Sequence, residues 1–180
     1  MPHLKPLKGR LLIAEPSILN DSSFNRAIIL ITEHTDSNSI GFILNRPLEY
    51  TIQDLLPEIE CNFRVYQGGP VEQDNLYFVH KVPNLIPDSI EVDNGIFWGG
   101  NFESLKFLLN NGTLEKTDIR FFLGYSGWSK HQLEDDYSSY PWTSYQELCS
   151  DNYQGFLDQP NVWSVFGSKV DFIQAHWTCK

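Results

Sequence analysis

The sequence predicts one domain of mixed strands and helices, and three observations support that prediction. Its 180 residues lie within the usual size of a single domain. Its apolar residues, 41% of the chain, fall in short runs that suit buried strands. One further stretch carries apolar residues at helical spacing, namely Phe102, Leu105, Leu108 and Leu109. Because we find no internal repeat and no linker, we expect residues 1–180 to form a single domain.

The strands are predicted from apolar runs that end at turn residues. The first three runs, separated by loops rich in Asn, Asp and Ser, predict a β-meander. A later pair of runs flanks Asn94-Gly95, a dipeptide that tolerates positive φ and predicts a hairpin. The predicted strands cover residues 11–14, 27–32, 40–44, 64–67, 76–82, 90–92, 96–98 and 119–123.

The helices are predicted from their caps. Thr51 and Asp54 have the spacing of a capping box, and Pro57 ends the short helix that follows. Asn101 is expected to cap a second helix that stops at Gly112. The other predicted elements are a helix over about residues 130–137, a helix over 161–166 and a strand over 169–173.

The charge of the chain argues against two classes of partner. Thirteen basic residues stand against 23 acidic ones, which gives a formal net charge of -10 at pH 7. Nucleic-acid binding depends on Lys and Arg that neutralise phosphates, and acidic surfaces are repelled by anionic membranes. Lys5, Lys8 and Arg10 are the nearest approach to a basic cluster. We therefore expect neither nucleic acid nor a membrane as a partner.

The cysteines suit a reducing compartment. Cys61, Cys149 and Cys179 are odd in number and far apart, which fits neither a disulfide framework nor a zinc site. The charged first ten residues are not followed by an apolar region as long as that of a signal peptide, so we expect a cytoplasmic protein. The pairs His131 with Glu134 and His176 with Cys179 each supply too few ligands for a metal. We expect no metal and no cofactor.

Two glycine-rich motifs resemble functional loops only in part. Gly124-Tyr-Ser126-Gly127 follows a predicted strand, but a nucleophile elbow requires Gly-x-Ser-x-Gly, so we predict a tight turn. Gly68-Gly69-Pro70 lacks the spacing of phosphate-binding loops. A turn that needs positive φ is the interpretation we favour there, and a small anion nest is the alternative.

Taken in chain order, the motifs resemble the YqgE/AlgH family of small bacterial proteins over about residues 7–142. The motifs are Gly9-Arg-Leu-Leu-Ile-Ala-Glu-Pro16, Phe24-Asn-Arg-Ala-Ile-Ile-Leu30, Glu33-His34, Gly41-Phe-Ile-Leu-Asn-Arg-Pro47, Gly68-Gly-Pro-Val71, Phe121-Phe-Leu-Gly-Tyr-Ser-Gly-Trp128 and Gln132-Leu-Glu134 with Trp142. The resemblance implies an α+β fold with a branched, partly barrel-like β-sheet flanked by helices. It also implies a cytoplasmic bacterial protein without an established activity or cofactor. Ser126, where the family usually has Ala, and Lys130-His131 depart from the family pattern.

The residues shared with the family supply the candidate site. They are His34, Asn45, Arg46, Gly68, Gly69, Gly124, Tyr125, Gly127, Trp128, Gln132 and Glu134. Four of them, Asn45, Arg46, Gln132 and Glu134, are polar at loop positions where packing alone does not require polar groups. They either form a hydrogen-bond network that fixes loops or line a concave site, and we favour the network.

Three functions follow as hypotheses. The leading one is a non-catalytic regulatory module that binds a protein or a small ligand, because no catalytic set is complete. The second is an enzyme with His34, Arg46 and Glu134, which requires His34 within one water of Arg46 or Glu134 in a cleft. A strand-end histidine bonded to a loop is the simpler interpretation of His34. The third is a transcriptional regulator, a name that the family often carries.

Overall fold

The computed structural model describes residues 7–14, 22–93, 95–139 and 142–144. In this part of the chain there are ten strands and three helices. In chain order they are β1 (Leu11–Ala14), β2 (Ile28–His34), β3 (Asn38–Ile43), β4 (Pro47–Thr51), α1 (Ile52–Leu55), β5 (Arg64–Gln67), β6 (Val71–His80), β7 (Ile90–Asp93), β8 (Ile96–Trp98), α2 (Phe102–Asn110), β9 (Ile119–Ser129), α3 (Gln132–Ser139) and β10 (Trp142–Ser144).

The strands form one branched sheet with β9 at the branch. The main order is β10-β1-β2-β3-β9-β6-β8-β7, and β5 joins β9 separately and carries β4. Strand β9 is 11 residues long, so it pairs with β5 over residues 121–123 and with β3 over residues 126–129. This arrangement confirms the predicted α+β fold with a branched, partly barrel-like sheet.

The predicted β-meander and hairpin are also confirmed. Strands β1, β2 and β3 pair in sequence and antiparallel, and β7 pairs antiparallel with β8. All four residues of β1 and the first five of β2 are buried, which explains why their sequences are continuous apolar runs.

Three clusters of buried side chains form the core. The first cluster is centred on Phe42, which stacks on Phe122 with 5.0 Å between ring centroids. The second cluster packs α2 against the sheet through Leu105. The third cluster contains Trp128 of β9 and Leu133 of α3. Each fully buried Phe, Leu or Ile side chain contributes roughly 1.5–3 kcal/mol to stability.

The helix caps follow the sequence. The carboxylate of Asp54 accepts from the backbone N–H of Thr51 at 2.7 Å and begins α1. The side chain of Asn101 accepts from Ser104 N–H at 2.9 Å and begins α2. Helix α3 begins later than predicted, because His131 has a φ of 62° and stands outside it.

The sequence did not predict β4 or the first part of β6, and both are mostly exposed. Strand β4 is mostly exposed, and so is β6 between Glu72 and Asn75, so neither shows the apolar run of a buried strand. Strand β10 was also missed. The helix predicted over 161–166 and the strand over 169–173 lie outside the described residues.

A buried histidine and a half-buried arginine bind backbone groups of the sheet and its loops. His80 Nδ1 accepts from Val82 N–H at 3.2 Å, so Nε2 carries the proton and donates to the Gly99 carbonyl at 3.1 Å. Burial lowers the pKa of His80. Arg120 donates to the Leu44 carbonyl at 2.9 Å, and burial lowers the pKa of its guanidinium.

Candidate functional site

A cleft of about 240 Å³ lies where β3, β6 and β9 meet. Its lining comprises Asn38, Ser39, Ile40, Val71, Tyr125, Gly127 and Trp128. Three of these residues, Tyr125, Gly127 and Trp128, belong to the predicted site. The other four come from strand segments that only the sheet pairing brings beside them.

Tyr125 and Gly127 lie on one face of β9, and Trp128 lies on the other. Tyr125 and Ile40 pack against the first core cluster, whereas Trp128 belongs to the third. The Tyr125 ring lies beside Gly127, where an added Cβ would be 2.9 Å from Cε2 of that ring. Tyr125 also meets Tyr77 edge to face at 5.6 Å, which fixes its ring at the cleft.

His34, Ser39 and Trp128 form a row across the opposite face. Ser39 is directly opposite His34 in the β2–β3 pair and directly opposite Trp128 in the β3–β9 pair. Directly opposite residues of antiparallel strands project on the same face. The row therefore lies on the α3 side of the sheet, away from the side chain of Tyr125.

His34 makes two polar contacts on that side. Its Nδ1 is 2.7 Å from the Ser39 hydroxyl, and its Nε2 is 3.6 Å from the Glu134 carboxylate on α3. The His34 side chain is 18% exposed and that of Glu134 is 40% exposed. These contacts join the end of the β2–β3 hairpin to α3. They also satisfy one condition of the enzyme hypothesis, proximity of His34 to Glu134.

Asn45 and Arg46 hold the loop before β2. The Asn45 side chain accepts from Ile28 N–H and donates to the Arg26 carbonyl, both at 2.9 Å. The Arg46 guanidinium donates to the carbonyls of Ser23 and Asn25. Both side chains therefore match the predicted loop-fixing network, and neither lines the cleft.

Gly68 and Gly69 are required by close packing, and the predicted positive-φ turn is wrong. Neither has a positive φ. A Cβ on Gly69 would lie 2.2 Å from the Tyr125 carbonyl, and one on Gly68 would lie 2.2 Å from the Gly124 carbonyl. The Gly68 N–H donates to Leu123, so it is not available to an anion as the nest alternative requires.

The predicted tight turn at residues 124–127 is also wrong, because β9 runs through it. Gly124, with φ of 69°, lies where the β6 register shifts between Val71 and Leu76, and positive φ suits glycine at such a bulge. Ser126 is fully buried and donates to the Gly68 carbonyl at 3.1 Å. This serine is a packing residue and not an exposed nucleophile.

Gln132 closes the turn between β9 and α3. Its side-chain oxygen accepts from Ser129 N–H at 3.0 Å and lies 3.2 Å from the Ser129 hydroxyl. Because His131 precedes the helix, it does not share a helical face with Glu134 as predicted. Among the described residues, no group of three or more His, Cys, Asp or Glu side chains is arranged to hold a metal.

The family model described as AlgH-like matches residues 11–170. The chain belongs to the AlgH-like family. A UPF0301 protein of Chlorobaculum parvum is 40% identical over 158 residues, which cover 87% of this chain and 82% of that protein. A UPF0301 protein of Cytophaga hutchinsonii is 43% identical over 137 residues, 75% of each chain. These matches confirm the resemblance found in the sequence.

Two solved structures share the AlgH-like fold. The solution structure of AlgH from Pseudomonas aeruginosa matches with a TM-score of 0.61, 24% identity and 80% of each chain covered. The crystal structure of protein DIP2367 from Corynebacterium diphtheriae matches with a TM-score of 0.64 and 22% identity, over 80% of this chain and 78% of the other. At these identities the likeness concerns the fold.

This AlgH-like chain has another cavity, and none of the predicted site residues lines it. It measures about 360 Å³ and is lined by Gln53, Glu60, Cys61, Asn62, Phe63, Leu109, Gly112 and Leu114. Burial raises the pKa of the Cys61 thiol, which makes it a poor nucleophile at neutral pH.

No described helix is both long enough and apolar enough to cross a membrane.

Proposed function

We propose that this AlgH-like chain is a protein-interaction module whose cleft receives one anchor side chain of a partner. The supporting observation is that Tyr125, Gly127 and Trp128, predicted as site residues from the family motifs, line the same cleft. The residue types suit recognition, because Tyr and Trp are enriched among the side chains that dominate binding energy.

The size of the cleft favours a protein partner. Pockets for small molecules usually measure about 300–1,000 Å³. At about 240 Å³ the cleft falls below that range, yet it can admit a single side chain. A protein partner gains the rest of its contact area from the surface around the cleft, which a small ligand cannot reach.

The arrangement of polar groups favours binding without catalysis. The potential base, His34, lies in the row on the α3 side and does not itself line the cleft, although Ser39 and Trp128 of the same row do. Ser39, its hydroxyl partner, is only 3% exposed. A general base must come within hydrogen-bond reach of the reacting group, and this placement keeps His34 from a ligand that rests on Tyr125.

A photocrosslinking experiment tests the proposal. A photoreactive amino acid is placed at Asn38, beside the cleft, and in a control protein at Tyr50, which is 51% exposed on β4. We expect a specific crosslinked partner from the Asn38 position alone. The purified partner should then bind the Tyr125→Ala variant at least roughly tenfold more weakly, as for an interface hot spot.

The control variant is Tyr50→Ala, which should bind the partner like the unmodified chain. Equal affinity of the Tyr125→Ala and unmodified proteins would contradict the proposal. So would identical crosslinking from both positions.

A second candidate function is an enzyme that uses His34 as a base. The contact of 3.6 Å between His34 and Glu134 favours it, since a carboxylate can orient a catalytic imidazole. Arg46 does not join this pair, because its guanidinium binds the loop carbonyls. Turnover of a small-molecule library that is abolished in His34→Ala and reduced in Glu134→Gln would support it. Turnover that persists in His34→Ala would exclude this base.

A further inference from the structure

Strand β9 extends beyond its pairing with β6. The β6–β9 register ends at Val71 opposite Tyr125, yet β9 continues to Ser129. Over residues 126–129 the pairing partner is β3, which lies on the other edge of β9. Among the described strands, none continues the line of β6 alongside this last part of β9.

The backbone groups of Gly127 face that edge. In an extended strand, the N–H and C=O groups of alternate residues point to the same edge. The Ser129 N–H donates to the Gln132 side chain and not to β3, which shows that odd-numbered residues here face away from β3. Gly127 is two residues earlier, so its N–H and C=O face the position that β6 would occupy if it continued.

The Tyr125 ring lies against the side-chain face of Gly127, so a second strand would meet Gly127 at its backbone edge. The cleft that contains Tyr125 and Val71 begins at the same place. A strand laid in the line of β6 would therefore pass directly over the cleft.

We propose that the partner binds by strand addition: an extended segment pairs antiparallel with β9 at Gly127 and places its anchor side chain in the cleft. This proposal rests on the proposed function and adds the mode of recognition. In strand addition, backbone hydrogen bonds supply affinity and pockets for side chains supply specificity. The pairing is short, so the anchor carries a large share of the binding.

The charge of the surface defines the chemistry of the segment. Glu72 and Asp74 are exposed in the β6 bulge that adjoins Val71, on the side away from Gly127, and the whole chain has a formal net charge of -10. Complementary charge steers association and suppresses wrong partners. The bound segment is therefore an apolar anchor residue flanked by Lys or Arg.

The test uses peptides selected on the full chain from a random 12-residue library. Each selected peptide is synthesised as a series in which one backbone nitrogen at a time is methylated, and its affinity is measured by calorimetry. Strand addition predicts an alternating pattern: methylation of an N–H that faces β9 weakens binding by roughly fivefold or more, whereas methylation of its neighbours has little effect. The selected sequences should also be enriched in Lys and Arg around one apolar position.

The outcomes separate this proposal from the one on which it rests. Some peptides could bind Tyr125→Ala more weakly and yet show no alternation in the methylation series. Such peptides use the cleft without strand addition, and this result overturns the present inference alone. Peptides that bind Tyr125→Ala as tightly as the unmodified chain, or a selection that yields no binding peptide, overturn both. An acidic consensus overturns the stated chemistry. Because the series is measured on the unmodified protein, no variant has to fold for the test to be decisive.

Discussion

The two ends of β9 belong to one strand but have different surroundings. From Phe121 to Leu123 the strand is paired on both edges, by β5 and β6. From Ser126 to Ser129 it is paired with β3 on one edge. The first end, the closed end, is part of the core, and the second end, the open end, borders the cleft. Burial of side chains alone does not distinguish them, since Phe122 and Trp128 are both buried. The difference lies in the pairing of the backbone.

The junction between the two ends is where a substitution should cost most. In Gly69→Ala the new methyl would meet the Tyr125 backbone at 2.2 Å, so the strands must move apart. We expect a loss of on the order of 3 kcal/mol in the free energy of unfolding, measured in urea. Gly112→Ala is the control, because nothing lies within 4 Å of its added Cβ and only its φ of 71° opposes alanine.

That control should lose only about 1–2 kcal/mol, the cost of a left-handed residue. If Gly69→Ala is no less stable than Gly112→Ala, close packing at the junction is not what separates the two ends.

The closed end should depend on Arg120. In Arg120→Met the Leu44 carbonyl loses a charged donor at 2.9 Å, and Tyr66 loses the guanidinium that lies 4.4 Å from its ring centre. We expect a loss of roughly 2–3 kcal/mol. Arg64→Met, on the exposed start of β5, should change stability by less than about 0.5 kcal/mol. Equal unfolding midpoints for these two variants would show that the contacts of Arg120 contribute little to stability.

The sequence predicted the closed end better than the open one, for a physical reason. Residues 119–123 are apolar except for Arg120, and Ile119, Phe121 and Phe122 are buried, so the pattern of a buried strand can be read locally. Gly124 and Gly127 resembled turn residues, but Gly124 is needed where the backbone of residues 69–73 approaches, and Gly127 lies against the Tyr125 ring. Local patterns do not reveal the approach at Gly124, because the nearest atoms belong to residues far away in the sequence.

The same reasoning applies to the candidate site. Tyr125, Gly127 and Trp128 were predicted because they stand together in one motif. Ser39 and Val71 were not, since only the pairing of β3 and β6 with β9 brings them to the cleft. The predicted network at Asn45 and Arg46 is confirmed in its contacts, because their partners are backbone groups of a nearby loop.

His80 makes the stability of the closed end depend on pH. Burial lowers its pKa below the ordinary value of 6.5, so the folded chain binds this proton less readily than the unfolded chain. Stability should therefore be independent of this group well above pH 6.5 and should fall as the pH drops below that value. Urea unfolding between pH 8 and pH 5 measures the slope. An imidazole that titrates above pH 6.5 by NMR in the folded protein would reverse the expected sign.

His34 gives the smallest expected effect and separates the two faces at the open end. His34→Ala removes the 2.7 Å contact with Ser39 and the 3.6 Å contact with Glu134, so we expect a stability loss of about 1 kcal/mol. Because His34 itself does not line the cleft, affinity for a cleft-binding peptide should stay within roughly twofold. Glu134→Gln, which keeps the shape of the side chain, should bind the peptide equally well. A tenfold loss of affinity in both variants, with the fold intact, would place the binding surface on the α3 side and make the cleft beside Tyr125 secondary.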